Sequence, residues 1–577
     1  MTAGINIMAG GEAGQGVQSV GAILAKTLAR GGFNIYADQD YESRVRGGHN
    51  FFRIRAAENE VRAISPALDM LIALNRETID LHRRELKPGG VIIYDGEQIK
   101  DAGRGKGYFN VPFTRMALET AQNKLMSNTA AAGAALGLAG TDFSLMEEDL
   151  ESEFGRYGEK IVRDNINAAR AGYDYAKEHG GEFAFPRLKS PKDKKQKLLL
   201  NGNEALCLGA LAAGCRFVAG YPMTPSSPIL EYMADKGREY GTVMIHVEDE
   251  ISAINMAAGA GYTGVRAMVA TSGGGFALMA EGLALAGMTE TPVVIVLGQR
   301  PGPATGFPTR TEQGELLFAL HAGHGEFPRA ILAPADAGEA FYLTARAFNL
   351  AEKYQSPAII LTDHYLATSY VTTDKFDLDK ITIERGPLLT DAEADAAPDY
   401  KRHLVTRSGV SPRAFPGQGR ALVVTDSDEH DEAGHIVEDA ATRNQQVEKR
   451  LRKLDGLKRE VMPPEFHTVK GAAVTLAGWG STRGAIREAA GMLAREGIPV
   501  NTLHFSQLWP FPAEAAARAL RKAGKNVVVE NNATAQLGVL IKRETGRTAD
   551  GRILKYDGRP FAPEEIAARV RKEAGKW

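Results

Sequence analysis

The sequence predicts an α/β protein built from three doubly wound sheet domains, and three observations carry that prediction. Short apolar runs recur along the 577-residue chain, each followed by a helix-like apolar or small-residue pattern. Such alternation marks parallel strands joined by crossover helices. At a prior of ~150 residues per domain, a chain of this length divides into about three or four units, each large enough to bury a core without staples. The third observation is punctuation: a basic stretch with two prolines (Pro186–Leu198, PRLKSPKDKKQKL) and a later turn-rich section interrupt the alternation.

The elements follow in order. Ile5–Ala9, Phe33–Tyr36, Met70–Leu74 and Val91–Tyr94 read as short buried strands, with a helical pattern over Val17–Leu28, and place a first domain at 1–185. Residues 186–199 form the linker. A second alternating region, 200–380, offers strands at Phe217–Ala219, Val243–Val247, Ala267–Thr271, Val293–Leu297 and Ala358–Leu361. Residues 381–465 are rich in turns and charge, lack strong periodicity and hold the acidic cluster DSDEHDE at 426–432, so they read as a connecting segment. A third region, 466–577, has strands at Ala473–Ala477, Val500–Leu503 and Asn526–Glu530.

Composition narrows the function. Lys and Arg number 69 against 71 Asp and Glu, a net charge of -2, which predicts neither a nucleic-acid partner nor a membrane surface. The two cysteines, Cys207 and Cys215, lie in an apolar stretch without metal-ligand spacing and read as buried thiols of a reducing compartment. This chain is therefore not expected to ligate a cluster. The opening MTAGINIMAGGEAGQG lacks a basic n-region. Apolar runs such as Thr291–Leu297 are of strand length, too short to span a bilayer. The expectation is a soluble cytoplasmic protein.

Several motifs carry chemistry. Gly10, Gly11, Gly14 and Gly16 (GGEAGQG) stand between a strand and a helix, where backbone N–H groups can face an anion; a tight turn without ligand is the alternative. The spacing departs from the dinucleotide fingerprint, and Asp38 and Asp40 are poor matches to its ribose-binding acid. Arg44, Arg46, Gly47 and Gly48 (SRVRGG) suit a phosphate or carboxylate clamp as well as a solvated basic turn. GYPMTPSSPI (Gly220–Ile229) ends a strand, and prolines on both sides of Thr224 stiffen its turn. Glu248, Asp249 and Glu250 crowd the next strand-to-helix junction; an N-cap role would explain Asp249, and one cap does not need three carboxylates. TSGGGFALMAEG (Thr271–Gly282) starts another helix with three glycines. The long stretch Gly302–Pro328 carries Arg310, His321, His324 and Glu326, and loops of this length are usually functional or disordered. The two histidines lack further ligands nearby and read as loop-stabilising rather than zinc-binding.

In series, these blocks resemble the 2-oxoacid:ferredoxin oxidoreductase family. YPMTPSS is similar to its YPITPSS signature, departing at Met223, and EDEISAINMAAGA, TSGGGFALM, GFPTRTEQ and AGHGEFP resemble successive alpha-subunit blocks. GEAGQG followed by ESRVRGG resembles the start of the gamma domain, and SGVSPRAFPG with DSDEHDEAGH the segment after the pyrimidine domain. The match runs in family order over nearly the whole chain and is most like the fused gamma–alpha subunit of the 2-oxoglutarate enzyme.

The resemblance implies a gamma domain, a pyrimidine-binding thiamine-diphosphate domain and a transketolase C-terminal-like domain. It implies decarboxylation of a 2-oxoacid on thiamine diphosphate shared with a beta subunit, single-electron transfer to ferredoxin, and acyl transfer to coenzyme A. Mg²⁺ and a [4Fe-4S] cluster are expected in that partner, in an (alpha-beta)2 heterotetramer. Glu250, nine residues before Gly259 as in the family, would contact the pyrimidine N1′ and favour its imino tautomer. Pro222 would line the cofactor, and Thr224 and Arg310 would hold the oxoacid. Gly14, Gly16, Arg46, Gly47 and Gly48 would help enclose coenzyme A. The expected oxoacid is 2-oxoglutarate, giving succinyl-CoA, with Arg300, Arg329 and Ser226 as candidates for its distal carboxylate. Pyruvate, branched-chain and indolepyruvate enzymes are the alternatives within the family, and a transketolase-like enzyme without electron transfer is the alternative outside it.

Overall fold

The structure, a computed structural model, describes residues 4–42, 47–103, 105–183, 188, 191, 195–522 and 524–573. It is an α/β protein with three sheets, of eight, seven and five strands. The chain divides into two compact units. One comprises 1–201 with 368–375 and 562–564, the other 202–367, 376–561 and 565–577.

In the first unit the strands Gly4–Glu12, Leu68–Ala73 and Leu86–Tyr94 run parallel, as their continuous apolar runs demand. Beside them His49–Ala57 pairs antiparallel with both Gly4–Glu12 and Asn34–Asp40. That strand is absent from the sequence reading because it has no apolar run. Phe52, Ile54 and Ala56 face inward while Arg53 and Arg55 alternate with them, a half-buried pattern of period two. Arg53 grips Asp38 with two nitrogens, at 3.0 and 2.9 Å, so Asp38 is a structural partner and no ribose ligand.

The second unit holds both other sheets over one apolar core, in which Val269, Ile295 and Leu361 pack in the same cluster as Trp479, Leu503 and Val528. In the seven-stranded sheet, Pro357–Asp363, Val293–Gln299, Ala267–Thr271, Phe217–Gly220 and Val243–His246 are consecutive parallel neighbours. Their carboxyl ends therefore share one edge, the place where open parallel sheets bind ligands.

The connecting segment contains more order than its sequence predicts: Ala440–Arg459 is a helix of 20 residues. Its buried face is made of Gln446, Lys449, Arg450 and Lys453, with Leu457. A helix that buries cations presents no hydrophobic stripe, so a search for apolar periodicity passes over it. Lys449 and Lys453 are matched by buried Glu290, which bonds the Lys449 ammonium at 2.5 Å, the Lys453 ammonium and His403 Nδ1 at 2.9 Å, while Arg450 grips Glu429 at 2.9 and 2.8 Å. Burial alone would raise the Glu290 carboxyl; the two ammoniums overturn that and hold it well below the usual range.

Among the described residues no helix is long and apolar enough to cross a membrane. Both cysteines are free and buried, and burial pushes the Cys215 thiol up to about 12.

Candidate active site

The shared edge of the seven-stranded sheet gathers most of the alpha-type motifs. Behind Val243–His246, Asp249 caps the helix Glu250–Tyr262 by accepting from the Ser252 N–H at 2.7 Å. Glu248 is exposed and accepts from the Ser252 hydroxyl at 2.6 Å, which lowers its carboxyl. The third acid is thereby left over: Glu250 is 3% exposed, and its Oε1 is buried with no hydrogen-bond partner. A buried carboxylate oxygen without a partner is costly, so it marks a place built for an incoming donor.

What stands against that oxygen is the glycine run. A Cβ on Gly275 would come within 2.4 Å of Glu250 Oε1 and 2.1 Å of Thr271 Oγ1, whereas one on Gly274 would meet nothing within 4 Å. Glycine at 275 is thus a close-approach requirement, and the free space lies over Gly274.

Behind Phe217–Gly220 comes the YPMTPSS turn. Ser226 is buried and donates to the Thr271 carbonyl at 2.7 Å, which fastens the turn to the neighbouring strand. Asn203 supports it from below, donating to the Pro225 carbonyl at 2.9 Å. Thr224 is half-buried, and its carbonyl accepts from Arg300 Nη1 at 2.7 Å. Pro222 lies exposed on the rim.

The stretch Gly302–Pro328 is ordered by the third sheet. Gln313, fully buried, exchanges hydrogen bonds with Asn531 at 2.7 and 3.1 Å, donates to the Trp479 carbonyl at 2.9 Å and accepts from Asn532 through its own carbonyl at 3.1 Å. Arg310 is half-buried; its Nη1 donates to the Thr309 carbonyl at 3.0 Å, and its Cβ side rests on Gly558. Thr311 donates to Asp363 at 3.2 Å, and His364 follows at the end of Pro357–Asp363. Burial, then the charges of Arg310 and Arg300, push the His364 imidazole down to about 3, so the buried ring is neutral. His364 belongs to no spaced motif, so linear spacing carries no signal for it.

Two other candidates for the distal carboxylate are structural. Arg329 is buried and donates to the Ala319 and Ala322 carbonyls at 3.0 and 2.6 Å, and Ser226 is spent on Thr271. The exposed His321 bonds Arg543 at 3.2 Å. Among the described residues Glu290, His403 and His430 are close enough to hold a metal. Two ammoniums already occupy that carboxylate, and His403 uses both nitrogens, on Glu290 and Thr425. The cluster fits an ion-pair network rather than a cation site.

In the first unit, Gly14 and Gly16 take left-handed backbone, with φ of 90° and 78°, at the turn before the helix Val17–Arg30. A cavity of about 460 Å³ opens there, lined among others by Gly14, Asn75, Arg76, Lys124 and Asn128. Gly47 and Gly48 also have positive φ, 78° and 81°; Arg46 lies outside the described residues.

Three family models match in succession: "Pyruvate ferredoxin/flavodoxin oxidoreductase" over residues 6–175, "Pyruvate flavodoxin/ferredoxin oxidoreductase, thiamine diP-bdg" over 208–449, and "Pyruvate:ferredoxin oxidoreductase core domain II" over 472–566. The 2-oxoacid:ferredoxin oxidoreductase subunit alpha of a Sulfolobus species is 33% identical, with 96% of this chain and 95% of that protein aligned. This chain belongs to the 2-oxoacid:ferredoxin oxidoreductase family. Its alpha-subunit relatives and thiamine-diphosphate-binding model make it an oxidoreductase component acting on 2-oxoacids. The match over 6–175 accounts for the N-terminal region, which a transketolase-like enzyme leaves unexplained. The 2-oxoglutarate synthase subunit KorA of Methanothermobacter thermautotrophicus is 34% identical but aligns with only 65% of this chain. Among solved structures, the 2-oxoglutarate:ferredoxin oxidoreductase of Magnetococcus marinus, with 2-oxoglutarate, coenzyme A and succinyl-CoA bound, superposes with a TM-score of 0.91 at 32% identity, covering 99% of this chain and 100% of that one.

Proposed function

We propose that this chain is the gamma–alpha subunit of a 2-oxoglutarate:ferredoxin oxidoreductase, which converts 2-oxoglutarate and coenzyme A to succinyl-CoA and CO2 while reducing ferredoxin. The observation that carries the reading is the unpartnered, buried Glu250 Oε1 facing the glycine run, on the same sheet edge as Arg300 and Arg310. That arrangement fits an aminopyrimidine ring: a flat ligand over Gly274 whose ring nitrogen completes the carboxylate. When bound, thiamine diphosphate supplies the carbanion chemistry that decarboxylation requires.

The chain's own residues divide the remaining tasks. Glu250 shares a proton with the pyrimidine N1′ and so sets the tautomer. Pro222 borders the cofactor, and Thr224 contacts the oxoacid. Arg310 holds the 2-oxoacid carboxylate through its planar fork. Arg300 is the remaining cation for the distal carboxylate, since Arg329 and Ser226 are committed elsewhere. A site with two guanidiniums suits a dianion and leaves one unmatched against pyruvate. In the first unit, Gly14, Gly16, Arg46, Gly47 and Gly48 border the phosphates of coenzyme A, a role supported by the positive-φ turns and the adjacent cavity with Arg76 and Lys124.

A partner completes the site. Tyr221, Ile251, Met256, Leu278, Phe307 and Phe318, all on the motif blocks, are exposed apolar side chains, and such a concentration marks a protein interface. In this reading a beta subunit covers them, holds Mg²⁺, the diphosphate and a [4Fe-4S] cluster, and assembles as (alpha-beta)2 in the cytoplasm. The domain limits at 185, 199, 380 and 465 are part of the same proposal. The test compares specificity constants for 2-oxoglutarate and pyruvate on the assembled enzyme, with coenzyme A and ferredoxin fixed. A preference for 2-oxoglutarate is expected; equal or better use of pyruvate would sink the substrate assignment.

A further inference from the structure

The backbone that carries Arg310 is fixed from outside its own loop. Thr311, the next residue, is buried, and its N–H donates to the Gly558 carbonyl at 3.2 Å. Its hydroxyl donates to Asp363 Oδ1 at 3.2 Å and accepts from the Tyr365 N–H at 3.2 Å. Gly558 stands against Arg310 itself: its φ is 78°, and a Cβ there would come within 3.0 Å of Arg310 Cβ and 3.2 Å of the Phe307 ring. The Arg310 N–H closes the turn by donating to the Phe307 carbonyl at 3.2 Å.

Asp363 is the hub of this clamp. It ends the strand Pro357–Asp363 at the carboxyl edge of the seven-stranded sheet, opposite Gln299, the neighbour of Arg300. Asp363 is 2% exposed; its Oδ1 also accepts from the Leu366 N–H at 2.9 Å, and Oδ2 accepts from the Ser481 hydroxyl at 2.6 Å. Ser481 follows Val474–Trp479, a strand of the five-stranded sheet. All three partners donate, the set that an acceptor-only carboxylate takes; burial raises the carboxyl and these bonds draw it back. A buried acid tied to both sheets thus grips the loop one residue from the Arg310 guanidinium.

We propose that Asp363 is a positioning residue for the 2-oxo carboxylate of the substrate: through Thr311 it sets where the Arg310 guanidinium stands. The inference rests on the reading that Arg310 holds that carboxylate, and not on which oxoacid is used. Two parallel hydrogen bonds to a carboxylate need the planar fork in one place and direction. Loosening the clamp keeps the charge but spreads its position, and a displacement of about 1 Å in a site can cost about a hundredfold. The loss falls on oxoacid binding, because Glu250 and the glycine run stand at other strand ends.

The experiment measures kcat and KM of the assembled, thiamine-loaded enzyme for 2-oxoglutarate and for pyruvate, with calorimetric thiamine diphosphate affinity beside them. Thr311→Val removes the hydroxyl at nearly constant volume and should raise KM about tenfold for both oxoacids. Turnover and cofactor affinity should hold within about twofold. Thr311→Ser keeps the hydroxyl and should keep the parent KM. Asp363→Asn turns an NH2 toward a donor and should repeat the Thr311→Val pattern. The deciding arm is an Arg310→Ala background, where Thr311→Val should cost kcat/KM less than about twofold more, because the group it positions is gone. A further loss of about tenfold in that background overturns the proposal, as does a KM rise confined to 2-oxoglutarate or an equal fall in cofactor affinity. If Asp363→Asn fails to assemble, the Thr311 variants decide alone. An Arg310→Ala enzyme with the parent KM overturns the carboxylate reading of Arg310 itself, and this proposal with it.

Discussion

Three neighbouring acids at one strand-to-helix junction come to different ends. Asp249 is consumed as the cap and Glu248 by Ser252 in solvent, so only Glu250 retains a buried oxygen without a partner. Glu250→Gln should lower turnover by roughly a hundredfold or more, the range for removal of an acid–base group. The folding transition should move little, because the lost oxygen has no partner in the fold. Glu248→Gln should stay active, and the reverse pattern in steady-state kinetics would show that the register is wrong. At Arg310 the prediction is a split. Lysine keeps the charge but not the fork, so Arg310→Lys should raise KM for the oxoacid by about tenfold or more while calorimetric thiamine diphosphate affinity holds, for a loss of about 1.4 kcal/mol. These residues were legible because each sits in a recognisable block. Arg300 was named for its place beside those blocks, and its bond to the Thr224 carbonyl puts it against the YPMTPSS turn.

On the scale of elements, the glycine run offers an internal control. Gly275→Ala would place a methyl within 2.4 Å of Glu250 Oε1, and Gly274→Ala would meet nothing within 4 Å of protein. In the chain on its own, the first should destabilise and the second should be tolerated. In the assembled enzyme both should weaken thiamine diphosphate binding, the first by displacing the carboxylate and the second by filling the ligand's space. Retention of full cofactor affinity by Gly274→Ala would remove the pyrimidine from that position. The helix Ala440–Arg459 makes a different prediction, since it docks through Lys449 and Lys453 on Glu290. Glu290→Gln leaves two buried ammoniums facing a neutral amide, and breaking a buried pair costs about 3–5 kcal/mol. A denaturant midpoint equal to that of the parent protein would refute this account of the docking.

At the scale of the whole molecule, the two cysteines are buried free thiols, too few for the four thiolates that an iron–sulfur cluster takes. The chain purified alone should therefore be colourless and inactive, and visible iron–sulfur absorption should appear only with the partner subunit. Broad absorption from this chain alone would overturn the division of labour between subunits. The exposed apolar side chains on the motif blocks, Leu278 and Phe307 at 50% and 58% exposure among them, should lose solvent accessibility on assembly. Oxidative footprinting of Met256 with and without the partner reads this directly, and protection confined to other surfaces would move the interface elsewhere.

The sequence by itself determined the fold class, the order of the three sheets and the motif blocks at the strand ends. Parallel strands buried on both faces must be continuous apolar runs, and close turns at their ends must carry Gly, Pro and hydroxyl residues. It did not reveal His49–Ala57, whose arginines alternate with its apolar side chains, nor the helix Ala440–Arg459, whose buried face is cationic. Those elements depend on partners distant in the chain, Asp38 for one and Glu290 for the other. The tertiary structure alone decided which acid of three is left unpartnered, that Gln313 pins the long loop to Asn531, and that Arg329 is spent on carbonyls. Each depends on which polar atoms meet once the sheets pack, and linear spacing holds no record of that.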